Sequence, residues 1–205
     1  MLAIIGGFVH TISDGVKPGH AILIREGRIE VLVPPDAVPS DCERLDATGR
    51  TVLPGLIDAR TSAGLFGDGA GFQNADHEEL TDPDTAWVRA IDALNPADSV
   101  YSEAREAGIT TLLTGPGSTN VTGGLSAVIK TAGDTVQAML LREPAGLQIG
   151  LGRPPVDAYR AKNKLWTRMG VVGLLRERLT AARAYLSRLE RAESEPDKVP
   201  EDDFR

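Results

Sequence analysis

The run Thr51-Val-Leu-Pro-Gly-Leu-Ile-Asp-Ala-Arg-Thr-Ser-Ala-Gly-Leu65 divides the chain into two kinds of sequence. Before it, short apolar runs are broken by turn residues. After Pro54, strand-like and helix-like patterns alternate. Within it, Leu56–Ala59 reads as a short apolar strand opening on Pro54-Gly55. Alternate residues of a strand point to the same side, so Arg60 and Ser62 share a face. There the strand runs into a loop over 61–74, carrying Gly64, Gly67, Gly69 and Gly71, whose backbone freedom favours flexibility.

Residues 1–53 read as strands at Leu2–Ile5, Phe8–Ile12, Ala21–Arg25 and Arg28–Val33. Gly6-Gly7, Asp14-Gly15, Pro18-Gly19 and Glu26-Gly27 punctuate them, which predicts hairpins in a small all-β unit. A proline-rich bridge at 33–39 leads to a further strand pair near Glu43–Asp46 and Thr51–Leu53.

Beyond the glycine-containing loop, the pattern predicts a helix over about Asp84–Leu94. A second helix is predicted with Asn95 as cap, Pro96 at its first position and Gly108 as its stop. Ile109–Thr114 is a β-branched, buried-type strand. Strands are expected again at Ser126–Thr131 and Gly146–Leu151. The last large element is a helix over about Arg168–Ala192, with an apolar stripe of Val172, Leu175, Leu179, Ala182, Leu186 and Leu189. That stripe is expected to face its own sheet, or another chain where the sheet is incomplete. Residues 193–205 are polar and acidic with two prolines, the composition of a disordered tail.

A formal net charge of −7 argues against general affinity for nucleic acid, which needs clustered Lys and Arg. Cys42 is the single cysteine, so there is no internal disulfide or thiolate cluster. No apolar run approaches the roughly 18 residues of a membrane span. The first residues lack the charged and long apolar regions of a signal peptide. A cytoplasmic protein, with neither nucleic acid nor membrane as partner, is the expectation.

The Thr51–Leu65 run resembles the signature of the metal-dependent amidohydrolase superfamily, which ends the first strand of a (β/α)8 barrel. Further segments resemble its imidazolonepropionase-related branch: Asn74–Pro83, Arg89–Pro96, Ala107–Thr111, Thr114–Lys130 and Thr167–Gly170. The resemblance implies an α/β fold, with residues 1–53 as β-sandwich strands and 54–192 as the first part of a barrel left incomplete in this chain. In that family Asp-Ala is followed by His-any-His, which grips the first metal ion. Here Asp58-Ala59 is followed by Arg60 and Ser62. A guanidinium has no lone pair to donate, and an un-ionised hydroxyl is a poor ligand, so the motif is degenerate. Gln148 and Arg153 stand where related sequences tend to carry Lys and Glu, and Gln148 cannot be carboxylated into a ligand.

Asp76, His77, Glu78 and Glu79 form the surviving acid/base-looking cluster; a solvated loop with capping acids is the plainer reading. Arg60 is a candidate for a carboxylate or phosphate ligand. His10 and His20 read as surface or structural residues, Trp87 and Trp166 as packing residues, and Asp58 as a structural hydrogen-bonding group. Gly115–Gly124 lacks the Gly-Lys-Ser/Thr ending of a phosphate loop and reads as a tight connection. No serine or cysteine nucleophile with a base can be read.

Three functions follow as expectations. The first is a non-catalytic, structural or regulatory subunit of an amidohydrolase assembly, with no cofactor of its own. Its partner is a second amidohydrolase-like chain holding zinc, iron or manganese, or a further copy. The second is one half of a split hydrolase acting on the C–N bond of a cyclic amide or peptide-like substrate. The third is a small-molecule binding protein with a relict pocket.

Overall fold

The computed structural model describes residues 1–67 and 75–194. Gly69 and Gly71 of the glycine-containing loop, and the acidic tail from residue 195, lie outside the described residues. The chain divides into two compact units, Met1–Leu56 and Ile57–Arg205.

The first unit holds seven strands: β1 (Leu2–Ile5), β2 (Phe8–His10), β3 (Val16–Pro18), β4 (Ala21–Arg25), β5 (Arg28–Val33), β6 (Glu43–Asp46) and β7 (Thr51–Val52). They form a four-stranded sheet in the order β5-β4-β1-β6 and a three-stranded sheet in the order β3-β2-β7. The β4–β5 hairpin pairs Arg25 with Arg28, leaving Glu26 and Gly27 in the turn at φ 52° and 74°. Two consecutive positive φ values match the right-handed twist of the flanking strands, and glycine adopts one at no steric cost. Ala3, Leu23 and Cys42 are buried together against Ile5, Val33 and Val38. Expectation and structure differ at β2, which stops at His10. Ile12 turns there with φ 67°, and the returning residues pair as β3.

The second unit is mixed α/β. Its elements are β8 (Leu56–Thr61), α1 (Val100–Glu106), β9 (Ile109–Thr114), β10 (Thr122–Lys130), α2 (Val136–Met139), β11 (Leu140–Ile149), α3 (Pro154–Arg160) and α4 (Arg168–Ser194). The sheet order is β11-β10-β9-β8. β9/β10 and β10/β11 are antiparallel, so this part is a meander rather than the parallel strand series of a barrel. Among the described residues, β8–α1–β9 and β10–α2–β11 follow a strand–helix–strand order, the second between antiparallel strands. Gly115 N, just past β9, donates to Thr61 O at the end of β8 (3.0 Å), so the two C-terminal ends lie side by side. The sheet of described strands is open. Tyr101, Leu112, Ala127, Ile129 and Met139 form one core beneath it. Val121, Val156, Tyr159, Leu165 and Val171 form another, where α3 and the start of α4 pack.

Four helical or packing expectations are corrected. Asp84–Leu94 is not an α-helix; only Ala90–Asp92 makes a short 3-10 turn. Its backbone is drawn instead to β10: Thr85 N donates to Thr122 O (2.8 Å) and Leu125 N to Val88 O (2.7 Å). The next helix starts at Val100 rather than Pro96, because Asn95 Oδ1 and Asp98 Oδ1 accept from Ala97 N and Val100 N in successive turns. Trp87 and Trp166 are 71% and 55% exposed, so neither is a packing residue. The α4 stripe does not face the sheet along its length. Val171 is fully buried and Leu174 and Leu175 pack on the core, while Val172, Leu179 and Leu186 stay exposed. α3 was not expected, although Pro154-Pro155 opens it at the position where the missing N–H costs nothing.

Candidate functional site

The strand ends of β8 and β9 converge on the connection from Gly115 to Val121. Arg60 Nη2 donates to Pro116 O and Nη1 to Thr61 O, both at 2.8 Å. Ser62 Oγ donates to Gly115 O at 2.8 Å, and Thr114 Oγ1 returns a bond to Ala63 O at 2.8 Å. Asp58 Oδ1 accepts from Arg60 N at 3.0 Å, a structural hydrogen bond as expected. The side chains at the two degenerate motif positions therefore act as donors that splice the two strand ends. A metal needs lone pairs aimed at one point. Arg60 has none to offer. The Ser62 hydroxyl keeps its lone pairs but is un-ionised, which makes it a poor ligand, so this pair is a poor match to a metal.

The four-residue cluster is dispersed by its partners. Glu78 Oε1 accepts from Thr119 N (3.2 Å) and from the Thr119 hydroxyl. A Cβ on Gly117 would collide with the same carboxylate, so glycine there lets Glu78 approach closely. Gly117 N donates to His77 O at 2.7 Å. The connection does cradle an anion, and that anion is the chain's own Glu78. At its end Val121 N donates to Pro83 O at 2.8 Å, in keeping with a tight connection. Glu79 Oε1 accepts from Thr81 N at 3.0 Å, and Asp76 is exposed. The His77 ring stacks on Phe66 with centroids 4.2 Å apart. Its buried Nδ1 finds no hydrogen-bond partner among the described residues. His10 and His20 lie in the first unit, His20 with Nδ1 3.3 Å from Pro18 O.

Behind this surface lies a buried polar network that sequence reasoning missed. Asn120 Nδ2 donates to Glu79 O (2.6 Å) and Thr85 Oγ1 (2.7 Å). Thr85 Oγ1 lies 3.1 Å from Thr122 O. The Tyr159 hydroxyl reaches both Asn120 Oδ1 (2.6 Å) and Asp82 O (2.8 Å), donating to one at a time. Burial, then the negative charges of Asp82, Glu78 and Glu79, push the Tyr159 hydroxyl up to about 12. At the rim, Lys164 pairs with Asp82 and Arg178 with Asp84, both at 2.6 Å. Burial alone would raise Asp82. Bonds from Lys164 and Asp84 N, with the charges of Lys164 and Arg178, outweigh it and hold the carboxyl below its usual value. No local pattern signals this network, since its bonded pairs are 35 to 77 residues apart.

An open cleft of about 450 Å³ adjoins the cluster, with Asp76, Glu78, Glu79, Trp87, Arg89 and Asp92 in its wall. Arg89 is held by Asp92 through two bonds of 3.0 and 2.7 Å. Among the described residues, no group of three or more His, Cys, Asp or Glu gathers as metal ligands. No described helix is long and apolar enough to cross a membrane.

No protein-family model matches the chain. The solved structure of an amidohydrolase from Thermotoga maritima MSB8 aligns with a TM-score of 0.91 at 32% identity, over 99% of this chain and 53% of that one. Amidohydrolase tasK of Hapsidospora irregularis is 33% identical over 114 residues, 54% of this chain and 12% of that protein. Imidazolonepropionase of Klebsiella pneumoniae subsp. pneumoniae is 46% identical over 52 residues, 25% of this chain and 13% of that protein. The chain thus spans about half of the solved amidohydrolase and smaller shares of the other two.

Proposed function

The chain belongs to the amidohydrolase superfamily, and on that premise we propose that it is the metal-free part of an amidohydrolase assembly, with a structural or regulatory role. The observation that carries this reading is the bonding of Arg60 and Ser62. Both side chains donate to backbone carbonyls at the strand ends where the family places its first metal-binding pair. Arg60 also brings a permanent positive charge, which repels a dication.

The open sheet supports the assembly. In this proposal β8 and β9 are the first strands of a (β/α)8 barrel, and β10–β11 is an antiparallel extension of them. A barrel removes its edges only by closing. Leu56 and Ile57 of the edge strand β8 are 51% and 69% exposed, which suits burial by complementing sequence. That sequence is supplied by further residues of the same polypeptide or by a second amidohydrolase-like chain. The pocket reading has least support, because both terminal nitrogens of Arg60 already serve carbonyls.

Native mass spectrometry of the protein from its own source, with metal analysis of the same sample, tests the proposal. A stoichiometric amidohydrolase-like companion or a longer form of this polypeptide is expected, with any metal lost when the complementing sequence is removed. Stoichiometric metal retained by this chain alone would overturn it. A complex that hydrolyses cyclic amides would move the reading to the split hydrolase, with this chain giving shape and the companion the metal.

A further inference from the structure

The apolar positions of α4 are spaced more strictly than the burial of one amphipathic helix on a sheet requires. Beside Val171 and Leu174, which pack on the core, Val172, Leu175, Leu179, Ala182, Leu186 and Leu189 follow steps of three, four, three, four and three, and from Leu179 onward the leucines keep to this a/d pattern. A globular helix typically buries a broader stripe, whereas a strict a/d repeat makes the narrow seam of a coiled coil. Most of the seam is uncovered in this fold, although Leu175 touches the core. Val172, Leu179 and Leu186 are 42%, 54% and 57% exposed, and Leu175 is only partly buried. A groove of about 590 Å³ runs along it, walled by Val172, Leu175, Arg176, Leu179, Thr180 and Arg183.

The charges beside the seam identify the occupant. Arg176, Arg183 and, at the far end, Glu190 follow the d positions on one side; Arg178 and Tyr185 precede the a positions on the other, so the flank is basic over its first two heptads. Arg178 is paired with Asp84. Arg176 and Arg183 make no ion pair or hydrogen bond among the described residues. Such flanking positions choose the partner helix. Two copies of α4 joined through the full seam would set Arg176 beside Arg183 of the second copy when antiparallel. When parallel, they would set Arg178 beside Arg183. Both arrangements oppose like charges, which disfavours self-pairing. We propose that the α4 seam docks an amphipathic α-helix of a separate polypeptide, with an apolar heptad seam and acidic residues flanking it opposite Arg176 and Arg183. This holds whether or not that polypeptide is an amidohydrolase.

The test uses the full chain and three synthetic 28-residue heptad peptides. One has leucine at the seam and Glu at the flanks, one leucine with Lys flanks, and one alanine at the seam with Glu flanks. Binding is read by fluorescence anisotropy at low and physiological salt. The expected result is that the Leu/Glu peptide binds at least about tenfold more tightly than either other peptide. The double variant Arg176→Glu with Arg183→Glu is expected to reverse the preference toward Lys flanks. Leu179→Asp, a change at an exposed position, is expected to abolish binding while the circular dichroism spectrum stays unchanged. The proposal is overturned by no binding to the Leu/Glu peptide. Equal affinity for Glu and Lys flanks, or a concentration-dependent dimer that Leu179→Asp disrupts, would overturn it too.

Discussion

Arg60 and Pro116, 56 residues apart, are joined by a 2.8 Å hydrogen bond from the guanidinium Nη2 to the carbonyl oxygen. With the Ser62–Gly115 bond it locks the end of β8 to the chain leaving β9. Arg60→Ala removes two charge-assisted bonds from an exposed side chain, and it is expected to cost about 1 kcal/mol in urea unfolding. Ser62→Ala is expected to cost a similar amount. The double variant should exceed the sum if the two bonds hold one joint, which a double-mutant cycle measures.

Tyr101 and Tyr159 are both buried, yet their hydroxyls differ. That of Tyr101 has no hydrogen-bond partner among the described residues, while that of Tyr159 serves Asn120 and Asp82. Tyr101→Phe is therefore expected to be neutral or to stabilise by up to about 1 kcal/mol. Tyr159→Phe strands two acceptors and is expected to cost about 1–3 kcal/mol. Thermal unfolding of the two variants at neutral pH separates them.

Alkaline pH gives a second handle on the same pair. Burial, with the nearby charge of Asp98, pushes Tyr101 up to about 12, and Tyr159 is raised likewise. The fold holds both hydroxyls neutral, so the native state keeps protons that the unfolded chain has released above its value of 10.0. Stability from this difference is complete below that value and is lost as pH rises from 10 towards about 12. The melting temperature should fall across that window, and less steeply in Tyr159→Phe. An unchanged slope in the variant would count against the assignment.

Gly64 has φ 82°, and a Cβ there would strike the Tyr101 hydroxyl and ring. Gly64→Ala combines backbone strain with overpacking, and it is expected to destabilise by at least about 2 kcal/mol. Gly27→Ala, with φ 74° and open space around it, meets the backbone penalty alone and should cost less. Denaturant midpoints of the two variants test the difference.

Local chemistry made the first unit legible: Glu26-Gly27 sets a hairpin turn, and apolar alternation sets the strands around it. The degenerate pair was legible too, because Arg60 and Ser62 declare their chemistry by residue type. Asp84–Leu94 was misread because its helix-like composition is overridden by bonds to β10, more than 30 residues away. The same distance hid Asn120, Thr85 and Tyr159, none of which stands in a recognisable motif. For α4 the spacing was plain, but exposure of Leu179 and Leu186 depends on what the sheet does not cover.

In the proposed reading, the strand ends around Arg60 and Ser62 hold no metal of their own. This is decided by the metal content of the purified chain, measured with melting curves before and after chelator and with added zinc, iron or manganese. The expected result is far less than one metal per chain and a melting temperature unmoved by chelator or metal. One equivalent of bound metal that raises the melting temperature, and is lost in a variant of Ser62, would contradict it.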